Sequence, residues 1–240
     1  MLKSLIDPLL SLAYPQICHV CHESVEEYSS GVACGCCWSA TRIFTGTESI
    51  CAKCGAYFGD KSRGNPEQCE NCRDHSYDIA RSVGVYEKAL SATILQLKKE
   101  PHLTARLKQY LVASLAKPEF AKATLVMPIP LSKIRRHDRG FNQAEIVAKV
   151  VARVLGMRLD KASLVRTVHT PKHRAAMDKK SRAATVKGAF EVTRPRLVSG
   201  ESILLVDDVL TSGSTASACA HELKQHGAAW VGVLTLARAV

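Results

Sequence analysis

Aromatic side chains are scarce: Phe, Trp and Tyr make up only 5% of the 240 residues, so rings on which nucleobases could stack are few. Long apolar runs are missing altogether. No stretch approaches the roughly 18 residues that a membrane-spanning helix requires, which argues against a transmembrane protein. The opening MLKSLIDPLLSLAYPQI is apolar, but Asp7 and Pro8 interrupt it, Lys3 is its only base, and no A-x-A site follows. It reads as a short amphipathic lead-in rather than a secretory signal, and the expected location is cytoplasmic. An excess of charged residues is lacking as well: 23% are charged against 46% hydrophobic, a composition that folds rather than one that stays disordered.

Charge is divided unevenly along the chain. Residues 1–78 carry 6 Lys and Arg against 10 Asp and Glu, a net of −4, whereas residues 79–240 carry 27 against 12, a net of +15. The expectation is two domains with different tasks, the second facing a polyanion. Cysteine breaks at the same place, because beyond Cys72 only Cys219 occurs. The others form four C-x-x-C pairs, Cys18/Cys21, Cys34/Cys37, Cys51/Cys54 and Cys69/Cys72, spaced by 12, 13 and 14 residues, with Cys36 left over. Without a secretory signal a disulfide framework is not expected. Eight paired thiolates suit one or two tetrahedral structural Zn²⁺ sites, and a ribbon this short draws its folding energy from the metal. Spacing leaves two pairings open, consecutive and cross-braced. His19, His22 and His75 are nearby alternatives, read as solvent-exposed.

From residue 79 the pattern alternates between strand and helix. RSVGVYE reads as a strand over 83–86, followed by helices over 88–99 and 102–116. TLVMPIP (124–130) reads as a buried strand, and residues 142–155 as a helix stopped by Gly156. Residues 170–187 read as a charged loop and 188–193 as a strand. Strand 202–207, helix 214–226 and strand 230–236 close the series. This is the signature of an α/β fold, a mostly parallel sheet flanked by helices.

The segment ILLVDDVLTSGSTASA (203–218) carries the chemistry. An apolar run suits a central parallel strand, and Asp207 and Asp208 fall at its carboxyl end, where open α/β sheets bind ligands. Thr211, Ser212, Gly213, Ser214 and Thr215 make a small, hydroxyl-rich turn that opens a helix, a phosphate cradle. Carboxylates beside it suit sugar hydroxyls, so the segment reads as a site for a sugar 5-phosphate.

VDDVLTSGSTA resembles the phosphoribosyl-pyrophosphate (PRPP) motif of type I phosphoribosyltransferases. With VMPIPLSKIRRHDRGFNQ (126–143), GAAWVGVLTLAR (227–238) and the cysteine-rich amino terminus, the chain is similar to the ComF family. The resemblance implies a zinc-ribbon module joined to a phosphoribosyltransferase-like domain. It implies that Asp207 and Asp208 bind the ribose hydroxyls as the catalytic acidic pair, and that Thr211–Thr215 bind the 5-phosphate. Arg135, Arg136 and Arg139 would line the pyrophosphate, with Mg²⁺ as cofactor. His137-Asp138, His173 and Thr185 depart from the family's pattern, the last two in the 170–187 loop. A part in natural competence is also implied, with single-stranded DNA and DNA-uptake or recombination proteins as partners. Residues 131–196 offer 17 Lys and Arg against 5 Asp and Glu, enough for sequence-independent phosphate contacts, though only Phe141 and Phe190 interleave them. Three functions compete: a phosphoribosyltransferase with an unidentified acceptor, a non-catalytic PRPP sensor, and a nucleic-acid adaptor.

Overall fold

The computed structural model describes residues 14–27, 30–59, 69–168, 186 and 188–240. In chain order the elements are α1 (Gly35–Ser39), β1 (Ile79–Val85), α2 (Lys88–Leu97), α3 (Ala105–Leu115), β2 (Leu125–Pro128), α4 (Lys133–Arg139) and α5 (Gln143–Leu155). Then follow β3 (Arg158–Leu159), β4 (Leu164–Arg166), β5 (Phe190–Val192), β6 (Ser202–Leu210), α6 (Ser214–Gln225) and β7 (Trp230–Arg238). Caps account for several limits. Thr104 Oγ1 accepts from Leu107 N–H at 3.3 Å, so α3 begins at Ala105 and not at His102. Asn142 Oδ1 accepts from Ala144 N–H at 3.1 Å and starts α5, which stops as expected at Gly156 in the left-handed region (φ 63°).

Five strands form a parallel sheet in the order β1-β7-β6-β2-β3, and β4 pairs with β5 antiparallel outside it. The expected mostly parallel sheet is present. Successive side chains alternate between its faces. Leu204, Val206, Leu234 and Leu236 join a core with α2, α3 and α5, while Ile203, Leu205, Val231 and Val233 join another with α6 and the β4–β5 pair.

The cysteine-rich segment is built into both cores, which its sequence did not suggest. Cys18, Cys34, Cys37 and Trp38 pack with Leu90, Ile94 and Leu107 on the first face. Cys51, Cys54 and Cys72 pack with Tyr77, Ala80 and the α6 side chains on the second. Between them the chain crosses the outer edge of β1. Phe44 N–H donates to Val83 O at 2.8 Å, Val85 N–H to Arg42 O at 2.9 Å, and Ala80 N–H to Lys53 O at 2.7 Å. The metal-binding segment therefore clamps the sheet edge and covers the strand edge that would otherwise be open.

Gly84 shows how close the clamp lies. A Cβ there would meet the Arg42 carbonyl oxygen and stand 3.2 Å from Ile43 Cα. Both are backbone atoms and cannot rotate away. Gly84→Ala is expected to lower stability by about 1–3 kcal/mol, the usual penalty for overpacking, read from the urea midpoint. An unchanged midpoint would mean that the clamp is not held against β1.

Candidate functional site

The parallel sheet has one place where neighbouring strands send their connections in opposite directions. β2 continues through α4 and α5 to β3 on one side, while β6 continues through α6 to β7 on the other. At such a switch point the two loops diverge and leave a crevice at the carboxyl ends of the strands. The β2 pairing with β6 ends at Pro128↔Val206. Asp207 and Asp208 come next. The strand does not stop at Asp207, as the sequence suggested, but runs to Leu210, because β7 continues beside it to the Leu210↔Arg238 pair. The acidic pair is thus held rigid on the β7 side and open beyond β2.

Alternation sends the two carboxylates to opposite faces. Asp208 accepts an ion pair from Lys98 Nζ at 3.1 Å, at the end of α2. Asp207 faces the α6 side, where burial first and the neighbouring Asp208 charge second raise its carboxyl well above the ordinary range. Arg166 on β4 is 8% exposed. Burial lowers its pKa, as does the nearby Arg135 charge, while Cys219 and Asp207 oppose the shift. Lys98 and Arg166 were not singled out from sequence. Each lies far along the chain from the acidic pair, and only the packing of α2 and β4 brings it there.

The loop after β6 turns at Gly213, left-handed at φ 79°, into α6. Ser212 Oγ and Ser214 Oγ lie 3.0 Å apart, and Ser217 N–H donates to Gly213 O at 2.8 Å. Thr211 is exposed, Ser212 and Thr215 half-buried, and Gly213 and Ser214 buried. Small residues, a left-handed turn and a helix start are the features that suit an anion.

On the β2 side, Arg135, Arg136 and Arg139 sit on α4, a helix the sequence did not announce because its seven residues bury no apolar side chain. Ser132 caps it through Arg135 N–H at 3.4 Å, and Gly140 (φ 75°) ends it. Arg135 is half-buried, and burial together with the Arg139 charge lowers its pKa. Arg139 donates to Gln143 Oε1 at 3.0 Å. Arg136 is exposed and pairs instead with Glu145 at 2.8 Å, so the three arginines do not converge. His173 and Thr185, with most of the 170–187 loop, lie outside the described residues.

The cysteines resolve into two consecutive tetrads, Cys18/Cys21/Cys34/Cys37 and Cys51/Cys54/Cys69/Cys72. The cross-braced alternative is not what forms, and Cys36 is exposed outside both. Sulfur separations of 3.7 Å (Cys18–Cys37), 3.6 Å (Cys21–Cys34), 3.6 Å (Cys51–Cys72) and 3.5 Å (Cys54–Cys69) are near the roughly 3.8 Å edge of a tetrahedron with metal–sulfur bonds of about 2.3 Å. Burial opposes ionisation of Cys18 and Cys51. Backbone N–H groups of Cys21, Cys34 and Val20 at the first, and of Cys54 and Cys69 at the second, nevertheless bring each down to about 6. Four thiolates with amide support fit a structural Zn²⁺ ion. His19 and His22 are exposed, as expected, but His75 is half-buried against the Gly213 turn.

A double zinc ribbon domain model matches residues 9–74, and a phosphoribosyl transferase domain model matches residues 139–239. The DNA utilization protein YhgH of Salmonella typhi is 30% identical over 240 residues, covering 95% of this chain and 99% of that protein. Competence protein F of Haemophilus influenzae is 28% identical over 195 residues, covering 78% and 84%. A solved purine phosphoribosyltransferase from Pyrococcus horikoshii shares 14% identity, covering 57% of this chain and 89% of that one, at a TM-score of 0.36. No helix among the described residues is long and apolar enough to cross a membrane. With a double zinc ribbon followed by a phosphoribosyl transferase domain in this chain and a relative aligned over nearly its full length, the chain belongs to the family of YhgH and competence protein F, the ComF family.

Proposed function

We propose that this chain binds PRPP between the ends of β2 and β6 and is a phosphoribosyltransferase of the ComF type with an unidentified acceptor, acting in the cytoplasm in the handling of internalised single-stranded DNA. The observation that supports this most is the divergence of the two loops, which puts an acidic pair beside an anion cradle with a cationic helix opposite. In this reading Asp207 and Asp208 hold the ribose hydroxyls, and Thr211, Ser212, Gly213, Ser214 and Thr215 receive the 5-phosphate. Arg135 and Arg139 face the pyrophosphate, and Arg136 contributes once freed from Glu145. Lys98 leaves Asp208 as the sugar arrives. Displacement at the ribose carbon builds positive charge there and negative charge on the leaving group, so positioning and neutralisation carry the reaction. A Mg²⁺ ion bound with the pyrophosphate would supply further neutralisation of that leaving group. Residues 1–78 form the metal-binding part and 79–240 the transferase part.

The names of the relatives, DNA utilization protein and competence protein F, support a link to DNA uptake and to uptake or recombination proteins as partners. The basic stretch supports nucleic acid through its net charge of +12. Arg136 and Arg194 pair with Glu145 and Asp160, which that total already counts, and of the three Arg158 alone pairs with an acid outside the stretch, Glu201. The test is calorimetry with PRPP–Mg²⁺, followed by pyrophosphate release with candidate acceptors, DNA included. Binding with release supports the transferase. Binding without release for any acceptor would reduce the function to a PRPP sensor, and no binding would overturn the assignment.

A further inference from the structure

The Cys51/Cys54/Cys69/Cys72 site and the Thr211–Thr215 turn are built against each other. The backbone after Cys72 is gripped from both halves of the tetrad. His75 N–H donates to Cys72 O at 3.1 Å. Lys53, between Cys51 and Cys54, donates from Nζ to His75 O at 2.7 Å and to Arg73 O at 3.4 Å. The same backbone then reaches the first turn of α6, where Ser76 N–H donates to Ser217 Oγ at 3.0 Å. His75 Nδ1 and Tyr77 OH are 2.6 Å apart, and both lie under the turn. A Cβ on Gly213 would come within 2.8 Å of His75 Cε1 and 2.9 Å of Tyr77 OH. Tyr77 is 1% exposed. Asp78 fastens the far end, accepting from Lys224 Nζ at 2.8 Å and from Val231 N–H at 2.8 Å.

Arg238 adds a second, independent observation. It is 6% exposed and lies beside Leu210 at the end of β7. One nitrogen points to Cys54 Sγ at 3.8 Å, and its Nε and Nη1 have no hydrogen-bond partner among the described residues. A buried, half-unpaired guanidinium is costly unless an anion balances it. A divalent ion held by four thiolates carries two net negative charges and supplies that balance at this position. Among the described residues the first tetrad has no such connection. It belongs to the core on the other face of the sheet, with Leu90, Ile94 and Leu107.

We propose that His75 and Tyr77 are positioning residues for the sugar-phosphate site, held under the Gly213 turn by metal at Cys51/Cys54/Cys69/Cys72 and not by metal at Cys18/Cys21/Cys34/Cys37. The inference rests on the sugar-phosphate reading of the Thr211–Thr215 turn. Because the linkage of two sites is reciprocal, sugar phosphate should in turn tighten metal at the second tetrad alone.

The test uses the full, zinc-loaded chain. A chromophoric chelator should remove two equivalents of zinc, and PRPP–Mg²⁺ should slow one of them at least several-fold. Equal slowing of both, or of neither in a protein that binds PRPP, would overturn the proposal. Tyr77→Phe deletes one oxygen and should weaken PRPP about 10-fold with both zinc ions and the circular dichroism retained. His75→Ala should do the same, and His75→Asn, which keeps a hydrogen-bonding atom near the Nδ1 position, should restore much of the loss. Hydrogen exchange at residues 211–217 provides a readout that needs no ligand, and it should speed up in His75→Ala and on loss of one zinc. Unchanged exchange there sinks the proposal. Faster exchange in a wild-type chain that never binds PRPP would sink the sugar-phosphate reading and leave the positioning intact.

Discussion

Replacing Asp207 and Asp208 together by Asn is expected to weaken PRPP–Mg²⁺ binding by about 10²-fold or more, since each charge-assisted hydrogen bond lost is worth roughly 1.5–3 kcal/mol and 1.4 kcal/mol is a factor of ten. Calorimetry measures the loss, with circular dichroism as the folding control. Affinity equal to wild type would show that the acidic pair does not touch the ligand. Stability should move the other way for one of the two. The Asp207 carboxyl titrates above its unfolded value because burial and Asp208 oppose its charge. Its ionisation therefore costs nothing below the unfolded value of about 3.9, and the cost grows as pH rises toward the folded value. Asp207→Asn alone should raise the melting temperature at pH 7, and the gain should vanish in acid. Asp208→Asn should bring no such gain, because it strands Lys98. A ligand site that destabilises its own fold is the expected signature of a functional carboxylate.

Removing the metal is expected to unfold more than the cysteine-rich segment. Structural zinc sites contribute about 10 kcal/mol or more of folding free energy each, comparable to the whole net stability of about 5–15 kcal/mol of a typical protein. Two separate domains, the expectation from sequence, would let a chelator melt residues 18–72 and spare the rest. The shared cores say otherwise. Trp38 beside the first tetrad and Trp230 at the start of β7 are both buried in one cluster and report on the two parts separately. Their fluorescence transitions should fall together after chelation. If the Trp230 transition stays where it was while Trp38 melts, the segment is an independent appendage.

What the sequence revealed and what it hid follow from the range of the interactions. The cysteine pairs, the VDDVLTSGSTA string and the helix stop at Gly156 are local signals, set by residues a few positions apart, and each was legible. The course of β6 beyond Asp207 to Leu210 was not, because it depends on β7 continuing alongside. Helix α4 has no apolar period to read, and β3 and β4 are two and three residues long. Lys98, Arg166, His75 and Tyr77 reach the site from α2, from β4 and from the segment after Cys72. Nothing in their own neighbourhoods announces the destination. The clamp of residues 42–44 on β1 is likewise a non-local pairing between short, unremarkable stretches.

The strand order has a consequence for synthesis on the ribosome. β1, with the clamp attached, touches the rest of the sheet only through β7, which is inserted between β1 and β6. β1 is made long before it, with 144 residues between Val85 and Trp230, whereas β6 precedes it by only the 19 residues after Leu210. Until Trp230–Arg238 has left the exit tunnel, the amino-terminal piece can take up metal and cover one side of β1, but its other side finds no partner. The β2–β6 piece meanwhile waits with the mirror-image gap. Such unpaired edges are where nascent chains aggregate. Early closure of the tetrads would give the waiting half a compact shape before its partner strand exists, making metal supply during translation a determinant of yield and not only of the finished fold.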